Sequence, residues 1–463
     1  MTENIELTAP ATVLPLKARL SEDWVAVVIG GVLLLAILLI AALSPSFHFT
    51  TPVYTWSTSG DLFGKVLAPA NLALLGLIGV VLFLLAIIAV SLLGGHPRRF
   101  VSGFLVVYLL GIFSLVVAGN STISYFGLEY VIFGLITGLI ISNTGILPAW
   151  LQEAARSEFY IKTGLVILGS SVLFTDIVKA GLPGLLQSVI VVSVVWFFAL
   201  WIARRLKVDD EFGVILASAV SICGVSAAIA ASGAIKGDRQ KLSYVTTLVL
   251  LVALPMLVLQ PWLIKIWHIP EIVGGAWLGG TLDTTASVTA AAQLVGPAAL
   301  KAGVIVKFSQ NVLIGVAALL LAIWWTFKKK QPVRTAGSAG DSTAGDPVAG
   351  AVPEQERPGF GVIWERFPKF VLGFIVVSLL FSFLIPADVT RQVSPMLNAL
   401  RTIWFSLAFV AIGLEARFTD LVKLNGGRPA LAFVAAQLFN ILWTLLWAWL
   451  LFDGKFLPIP DLK

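Results

Sequence analysis

The most constraining feature of this sequence is a series of apolar runs about as long as a lipid bilayer is thick. The first, from Trp24 to Leu43, contains no charged residue. A helix needs about 20 apolar residues to cross a hydrocarbon core of ~30 Å, whereas the apolar part of a cleavable signal peptide has about 7 to 15. The run therefore predicts a transmembrane helix rather than a signal peptide.

The composition agrees with many such helices. Hydrophobic residues make up 58% of the chain and charged residues 12%, and the mean hydropathy is +0.96. So little polar surface could not coat a water-soluble globule. We therefore predict an all-α polytopic membrane protein. The eleven predicted spans are 24–43, 72–94, 101–118, 124–142, 161–178, 184–203, 241–264, 300–326, 360–385, 401–421 and 430–452.

Short basic clusters predict how these spans are oriented. Lys17 and Arg19 precede the first span, and HPRRF (96–100) and RRLK (204–207) fall on the same side as these two residues in the predicted topology. Basic loops are typically cytoplasmic. The pattern predicts a multi-pass protein of the inner (plasma) membrane with a cytoplasmic N-terminus. It also accounts for the net charge of +6 without a nucleic acid partner.

Two further apolar segments, 211–235 and 271–296, do not fit a simple crossing. If the first crossed the membrane, the basic turn KGDRQK (236–241) would be external. We therefore predict two re-entrant hairpins, the first broken around Cys223, Gly224 and Val225 and the second at residues 279–282. The alternative of two full spans gives the same orientation for the later helices, so KGDRQK alone separates the two interpretations.

The chain also contains an internal repeat. FTDIVK (174–179) and FTDLVK (418–423) are nearly identical, and a shift of 244 residues aligns them together with their preceding helices. VIFGLITGLI (131–140) also loosely resembles residues 370–380. In the predicted topology the two copies point in opposite directions, and inverted repeats are typical of alternating-access carriers. The alternative is independent use of the same helix-end residues.

The repeat and the loops suggest four parts. Residues 1–95 form an N-terminal region with additional spans, and residues 96–327 form a first transmembrane part with both hairpins. Residues 328–357 are rich in Gly, Ala, Pro and charge without periodicity, which predicts a flexible cytoplasmic loop. Residues 358–463 form a C-terminal transmembrane part with the second repeat.

The hairpins are the predicted binding site. Broken helices place their positive dipole ends at the bilayer midplane, where they suit a small anion. The candidate substrate-binding residues are Cys223, Gly224, Val225, Ser226, Thr281, Thr284, Thr285, Ser287, Lys307 and Asn311. Asp283 is the candidate for coupling to a proton or sodium ion, because carboxylates inside membranes usually pair or line a pathway.

Each candidate also has a structural interpretation. The small residues after Cys223 could serve helix packing, Asp283 could cap a helix, and Lys307 could extend its amine to the interface. Glu415 lies where the first repeat has Ser171, and it is either pathway-lining or interfacial.

The sequence contains none of the usual signatures of an enzyme. One cysteine and three histidines cannot assemble a disulfide framework or a Cys/His metal centre. No phosphate-binding loop and no nucleophile paired with a base are visible. We expect no cofactor and no enzymatic activity.

Four strings together resemble a known family. SICGVSAAIAA (221–231), GGAWLGGTLDTTASVTAAA (274–292), VIVKFSQN (304–311) and FSLAFVAIGLEARFTDLVK (405–423) look like the YeiH-type bacterial inner-membrane proteins, a family labelled as sulfate exporters. The resemblance covers roughly residues 100–452. It implies a fold akin to the bile-acid symporter and cation/proton antiporter superfamily, with a core domain that carries the broken helices and a panel domain.

The resemblance also concerns individual positions. It implies that Cys223, Gly224, Ser226, Asp283 and Lys307 occupy matching motif positions. Members of the family often have a histidine beside the aspartate, where this chain has Leu282. A proton step that depends on histidine is therefore not expected here.

The resulting hypothesis is a secondary active transporter, an exporter, of a small anion such as sulfate or an organic sulfonate or carboxylate, working by alternating access. A sodium- or proton-coupled symporter of another small solute is the first alternative. A channel or a membrane receptor is the second. The surplus N-terminal spans could provide a homodimer interface.

Overall fold

The computed structural model describes residues 20–44, 47–125, 128–145, 147–329, 364, 367–416 and 427–456. These residues are mostly helical, and the only β-pairing among them is an isolated bridge between Trp56 and Asn120. The α-helices are α1 (Glu22–Leu43), α2 (Ser59–Asp61), α3 (Pro69–Leu92), α4 (Pro97–Ala118), α5 (Ser121–Tyr125), α6 (Tyr130–Asn143), α7 (Ala149–Ala154), α8 (Ser157–Leu168), α9 (Phe174–Arg205), α10 (Asp210–Ser218), α11 (Val225–Ile235), α12 (Arg239–Ile266), α13 (Glu271–Thr281), α14 (Thr285–Val295), α15 (Pro297–Lys329), α16 (Lys369–Leu379), α17 (Ala387–Glu415) and α18 (Arg428–Phe452). Turns of π-helix lie at Leu62–Val66, Ala219–Cys223 and Leu380–Leu384, and a 3₁₀ turn lies at Gly169–Ser171.

Eight of the described helices are long and apolar enough to cross a membrane, which confirms the predicted polytopic all-α class. They are α1, α3, α4, α9, α12, α15, α17 and α18. Three predicted spans are shorter than expected, because 124–142, 161–178 and 360–385 correspond to α6, α8 and the segment Lys369–Leu384. These three short segments belong to the repeat described below.

Two predicted helix boundaries are wrong. The prediction placed a turn at residues 180–184, but α9 runs without a break from Phe174 to Arg205 and includes Pro183. A proline is tolerated inside a membrane helix because neighbouring groups satisfy the freed carbonyl. FTDIVK therefore begins a helix, and Asp176 lies in its first turn, where the helix dipole favours a negative charge. Similarly, the predicted span 401–421 begins too late, because residues 401–415 are part of α17, which begins at Ala387; residues 417–421 lie outside the described residues.

Both re-entrant hairpins are present. The first hairpin comprises α10, the π-turn and α11. Its two ends lie side by side, since Lys241, at the start of α12, contacts Asp209 at 2.8 Å and Glu211 at 3.1 Å at the start of α10. The second hairpin comprises α13 and α14, and its ends meet where the backbone of Gly296 lies against the Glu271 carboxylate. Each segment therefore returns to the side from which it started.

The tips of the hairpins meet. Gly224 has φ +63° and ψ −115°, a conformation that favours glycine, and its Cα faces the Asp283 backbone and Cβ. The first break is thus at the predicted position. The second break is at residues 282–284, slightly later than predicted, because Gly279, Gly280 and Thr281 still belong to α13. Here Gly279 packs against the Gly303 backbone of α15, as small residues allow in membrane helices.

The internal repeat is inverted in the structure. At one end of the α8–α17 pair, Ser157 donates to Glu415 from its backbone N at 3.0 Å and from Oγ at 2.7 Å. At the other end Arg401 Nη1 donates to Ser171 Oγ at 3.3 Å. The shift of 244 residues converts Ser157 into Arg401 and Ser171 into Glu415. The two contacts are therefore equivalent with their partners exchanged, as a pseudo-two-fold axis requires.

The neighbouring helices follow the same symmetry. Gly413 of α17 packs closely on the backbone of α6 at Leu135 and Gly138. Gly169, its equivalent in the first copy, packs on α16 at Phe374 and Val377. The looser resemblance noted in the sequence aligns α6 with α16 and brings these partners into register. We call α1, α3, α4, α6, α8, α16 and α17 the flanking bundle, and α9 to α15 with α18 the hairpin bundle.

The hairpins do not follow the chain order of a simple tandem duplication. The first hairpin with α12 is followed directly by the second hairpin with α15, whereas the counterpart of α9 in the repeat is α18. Of the predicted loop 328–357, residues 328 and 329 belong to α15, and the rest lies outside the described residues. The second FTDLVK copy (418–423) and Lys17 with Arg19 also lie outside them.

Candidate functional site

The carbonyl ends of the two first half-helices are held from one side by polar side chains of α15 and α18. The oxygens of Ile222 and Leu282 both accept from Lys307 Nζ at 2.8 Å. The other bonds are Gln310 Nε2 to Ser221 O (3.0 Å) and Gly280 O (3.2 Å), Gln437 Nε2 to Thr281 O (2.9 Å), and Asn440 Nδ2 to Val220 O (3.2 Å). Backbone that leaves the helical pattern at membrane depth requires such partners.

Lys307 is the centre of this arrangement. It is fully buried, and its third hydrogen bond goes to Gln310 Oε1 at 2.8 Å. An ammonium group has three donors, so all of them are used. Its positive charge lies between the negative dipole ends of two half-helices, with Asp283 close enough to interact electrostatically. Asp283 is 2% exposed, and its Oδ2 has no hydrogen-bond partner within the described residues.

On the other side of each break, the second half-helix of the hairpin begins at a cavity of about 370 Å³. Here α11 and α14 begin, so both present the positive end of a helix dipole to the same space. Thr284 caps α14 by accepting from the backbone N of Ser287 at 3.0 Å, whereas α11 begins after Gly224 without a side-chain cap. Ser226, in the first turn of α11, is exposed to the cavity.

The flanking bundle supplies the opposite wall of the cavity, and this wall is charged. Lys162 forms ion pairs with Glu22 at 3.0 Å, Asp23 at 3.1 Å and Glu158 at 3.6 Å. Glu415 caps the first turn of α8 through Ser157. Asp23, Glu158, Lys162 and Glu415 all line the cavity. The cavity thus separates two helix N-termini from a wall with three carboxylates and one amine.

Most of the predicted site residues meet at this cavity. Those that line it are Cys223, Val225, Ser226, Thr284, Thr285, Ser287 and Asn311. Gly224, Thr281, Asp283 and Lys307 lie behind the tips and do not line it. The Thr281 hydroxyl donates to the Trp277 carbonyl at 2.6 Å, and its backbone oxygen accepts from Gln437. These residues shape the hairpins rather than the cavity surface.

Several residues of the site were not predicted. Gln437 and Asn440 lie three positions apart in an otherwise apolar stretch of α18, a signal that could have identified them. Lys162 and Glu158 lie at the beginning of α8, where charges are usually solvated, so the sequence offered no signal. Of the two predicted interpretations of Glu415, pathway-lining or interfacial, the structure agrees with the first in that Glu415 lines the cavity. No group of three or more His, Cys, Asp or Glu residues that could hold a metal ion occurs among the residues described.

Comparison with known proteins places the chain in a family. Residues 102–432 match the family model described as conserved hypothetical protein 698. The chain is 38% identical over 393 residues to a UPF0324 membrane protein of Rhodopirellula baltica, covering 82% of this chain and 68% of that protein. It is 33% identical over 398 residues to a UPF0324 membrane protein of Nitratidesulfovibrio vulgaris, covering 83% and 65%. The aligned regions thus span about two thirds of the length of these relatives. No solved structure matches the chain. The chain belongs to the conserved hypothetical protein 698 family.

Proposed function

We propose that this member of the family is a secondary transporter that carries a small anion across the membrane by alternating access. The observation that supports the proposal best is the asymmetry of the hairpin breaks. The backbone carbonyl oxygens at the end of α13 and of the π-turn in the first hairpin accept hydrogen bonds from Lys307 and from three side-chain amides. The N-terminal ends of α11 and α14 instead open together into one cavity.

The chemistry of this cavity fits an oxyanion. Helix N-termini offer backbone N–H donors and a positive partial charge, and Ser226, Thr285 and Ser287 add hydroxyl groups at the cavity surface. Sulfate, sulfonates and carboxylates all present acceptor oxygens to such donors. The resemblance to YeiH-type sulfate exporters makes sulfate the first anion to test. The proposal involves transport without chemical conversion of the anion.

The inverted repeat supports the carrier mechanism. The equivalent contacts Ser157–Glu415 and Ser171–Arg401 lie at opposite ends of the same helix pair. A flanking bundle with two equivalent ends gives the hairpin bundle two equivalent positions, which is the basis of alternating access. The relationship to bile-acid symporters and cation/proton antiporters is part of this proposal.

Coupling is proposed to run through carboxylates. Asp283 is still the candidate for binding the coupling ion. Because it does not line the cavity, it would affect the anion only indirectly, through Lys307 and the hairpin tips. The carboxylates of Asp23, Glu158 and Glu415 favour a second candidate function, a sodium- or proton-coupled carrier of an uncharged or cationic solute. An imposed sodium or pH gradient that drives uptake of such a solute, but not of anions, would identify it.

The test of anion transport is a charge substitution at Ser226. In Ser226→Asp the new carboxylate stabilises α11, because it lies in the first turn, yet it repels an anion at the same place. Ser226→Asn is the matched neutral control. We expect sulfate counterflow in proteoliposomes to saturate for the unmodified protein, to fall at least about tenfold for Ser226→Asp, a loss of about 1.4 kcal/mol, and to persist for Ser226→Asn.

Two results would reject this function. Flux that neither saturates nor shows counterflow would indicate a channel. Equal anion transport by Ser226→Asp and Ser226→Asn, both of normal thermal stability, would show that the anion does not bind at the helix N-termini.

A further inference from the structure

A second cavity lies on the outer face of the hairpin bundle, between α9 and α15. Its volume is about 750 Å³ and its surface is almost entirely apolar. Its lining comes from α9 between Val192 and Arg204, from α15 between Ala317 and Trp324, and from Ile222 of the first hairpin. Phe197 is 68% exposed and Leu320 61%, so the cavity is a groove that opens away from the protein.

The groove has the length of one membrane leaflet. Along α9 it extends from Val192 to Arg204, which at 1.5 Å per residue is about 18 Å. Half of a hydrocarbon core of ~30 Å is about 15 Å. Its deep end is at Ile222, beside Val192 and next to the tip of the first hairpin. Its shallow end is at the end of α9, near the mouth of that hairpin.

The shallow end is positively charged. Arg204 donates to Asp210 through Nε at 2.8 Å and Nη2 at 3.5 Å, and its side chain is 49% exposed, so a phosphate would be met from the Nη1 side. Arg205 follows it and stacks on Trp201 at 5.5 Å. Trp196 and Trp324 meet edge to face within the groove, with ring centroids 6.3 Å apart. A guanidinium group binds phosphate through paired hydrogen bonds, and tryptophan is enriched at the membrane–water interface.

We propose that this groove binds an anionic phospholipid from the leaflet on the side of the first hairpin's mouth. One acyl chain lies along α9 and α15 and ends against Ile222, and the phosphate contacts Arg204. The apolar lining excludes a polar solute, and the single cationic end selects an anionic headgroup. The proposal does not depend on the transported substrate, because the groove lies outside the cavity between the two bundles.

A lipid in the groove also contacts a residue of the first hairpin tip. Ile222 contributes its side chain to the groove and its carbonyl oxygen to Lys307 at 2.8 Å. An acyl chain packed on Ile222 therefore supports the same residue that anchors the ammonium group between the two tips. Ile222 already packs in a buried cluster with Ile314 and Ala318 of α15, so an acyl chain in the groove adds to this packing and stabilises the first hairpin.

The experiment compares two lipids on the purified full-length chain in detergent. Phosphatidylglycerol is expected to raise the thermal unfolding midpoint by at least about 3 °C, and phosphatidylcholine by clearly less. Ala317→Trp fills the groove and should remove the stabilisation by both lipids. Arg204→Gln should remove only the difference between them. The matched controls are Ala73→Trp, at an exposed position of α3, and Arg99→Gln, at an exposed position of α4 away from the groove.

Native mass spectrometry of the same samples counts bound lipids and chains. The unmodified protein should retain one phosphatidylglycerol more than Ala317→Trp. Equal stabilisation by both lipids, or unchanged stabilisation in both Ala317→Trp and Arg204→Gln, would overturn the proposal. So would loss of a dimer in Ala317→Trp without any change in bound lipid, since the groove would then be an interface between two copies of the chain.

Discussion

The two hairpins each consist of two half-helices around a break, but they differ in the side chains at their tips. A shift of 60 residues places Ile222 on Leu282 and Cys223 on Asp283. Ile222 and Leu282 accept from the same lysine nitrogen at the same distance. The residues that follow are a thiol and a glycine in the first hairpin, and a carboxylate and a threonine in the second. The two tips thus share the lysine that anchors their carbonyl oxygens, while the carboxylate is present in only one of them.

This difference separates the parts that fold the site from those that give it chemistry. Lys307, Gln310, Gln437 and Asn440 hold both tips through backbone carbonyls, which every residue type provides. The anchoring of the tips therefore does not depend on which side chains the tips carry. Cys223 is buried and adds only a small group, whereas Asp283 adds an opposite charge to Lys307. This carboxylate, present at only one of two tips that share Lys307, is the basis of the proposed coupling.

The largest effect is expected from Lys307→Met, which tests whether one side chain holds both tips. The substitution keeps the length of the side chain but removes three hydrogen bonds and leaves Asp283 without its partner charge. Removal of one member of a buried charged pair costs about 3–5 kcal/mol. We expect the free energy of unfolding to fall by that amount, and hydrogen exchange to increase at residues 220–224 and 280–284 together.

Lys179→Met is the control for this substitution, because Lys179 is exposed on α9 and should change stability by less than about 0.5 kcal/mol. Faster exchange at only one of the two tips would contradict the shared anchor. The hairpins would then be supported independently, and their similarity would not arise from Lys307.

A smaller effect is expected at Gly224 and Thr284, the equivalent positions that start the two second half-helices. Gly224→Ala should cost about 1–3 kcal/mol, because the residue has positive φ and a Cβ would lie 2.7 Å from Val249 Cγ1 and 2.9 Å from Asp283 Cβ. Thr284→Ala removes only a helix cap and should cost about 1 kcal/mol. Chemical denaturation of both variants measures the difference.

One result would contradict the predicted difference between these two variants. If Thr284→Ala destabilised the protein as much as Gly224→Ala, the two turns would depend equally on their side chains. The first turn would then not be the one that is restricted by its backbone and its close contacts.

The sequence predicted the hairpins because a local conflict revealed them. KGDRQK (236–241) could not be external, and the structure returns it to the starting side through Lys241. The repeat was visible because FTDIVK and FTDLVK are short and nearly identical. The break between the predicted spans 161–178 and 184–203 was wrong, because α9 continues through Pro183 and neighbouring groups can satisfy the carbonyl that a proline frees. The anchoring bonds of Lys307 could not be predicted, since they join residues about 25 to 85 positions apart in the sequence.

The charged wall was missed for a related physical reason. Charges at the start of an apolar run are usually solvated, and nothing in the local sequence distinguishes Lys162 or Glu158 from such residues. Their role appears only when α8 packs beside α1 and brings Glu22 and Asp23 to Lys162. The part of a site contributed by pairing of distant helices therefore lies beyond what periodicity and charge patterns reveal.

The smallest effect concerns the mouths of the hairpins and depends on pH. Partial burial alone would raise the pKa of Asp209, but hydrogen bonds from Lys241 and from the Phe212 backbone outweigh it and lower the pKa below its ordinary value. A lowered carboxyl pKa contributes stability that is present above the unfolded pKa of about 3.9 and is lost as the pH falls through the folded pKa. The ion pair with Lys241 therefore closes the first mouth at neutral pH and weakens in acid.

We expect hydrogen exchange at residues 236–242, corrected for the intrinsic rate, to increase relative to residues 295–299 as the pH falls below about 4. The pair is partly exposed, so the change should correspond to no more than about 1 kcal/mol. Lys241→Gln should raise exchange at neutral pH and remove most of the pH dependence, while Lys65→Gln, which breaks a distant pair with Asp61, should not. Parallel changes at both mouths would show that acid loosens the hairpins through a common element, such as the Asp283 carboxylate beside Lys307 at the tips, and not through the Asp209 pair.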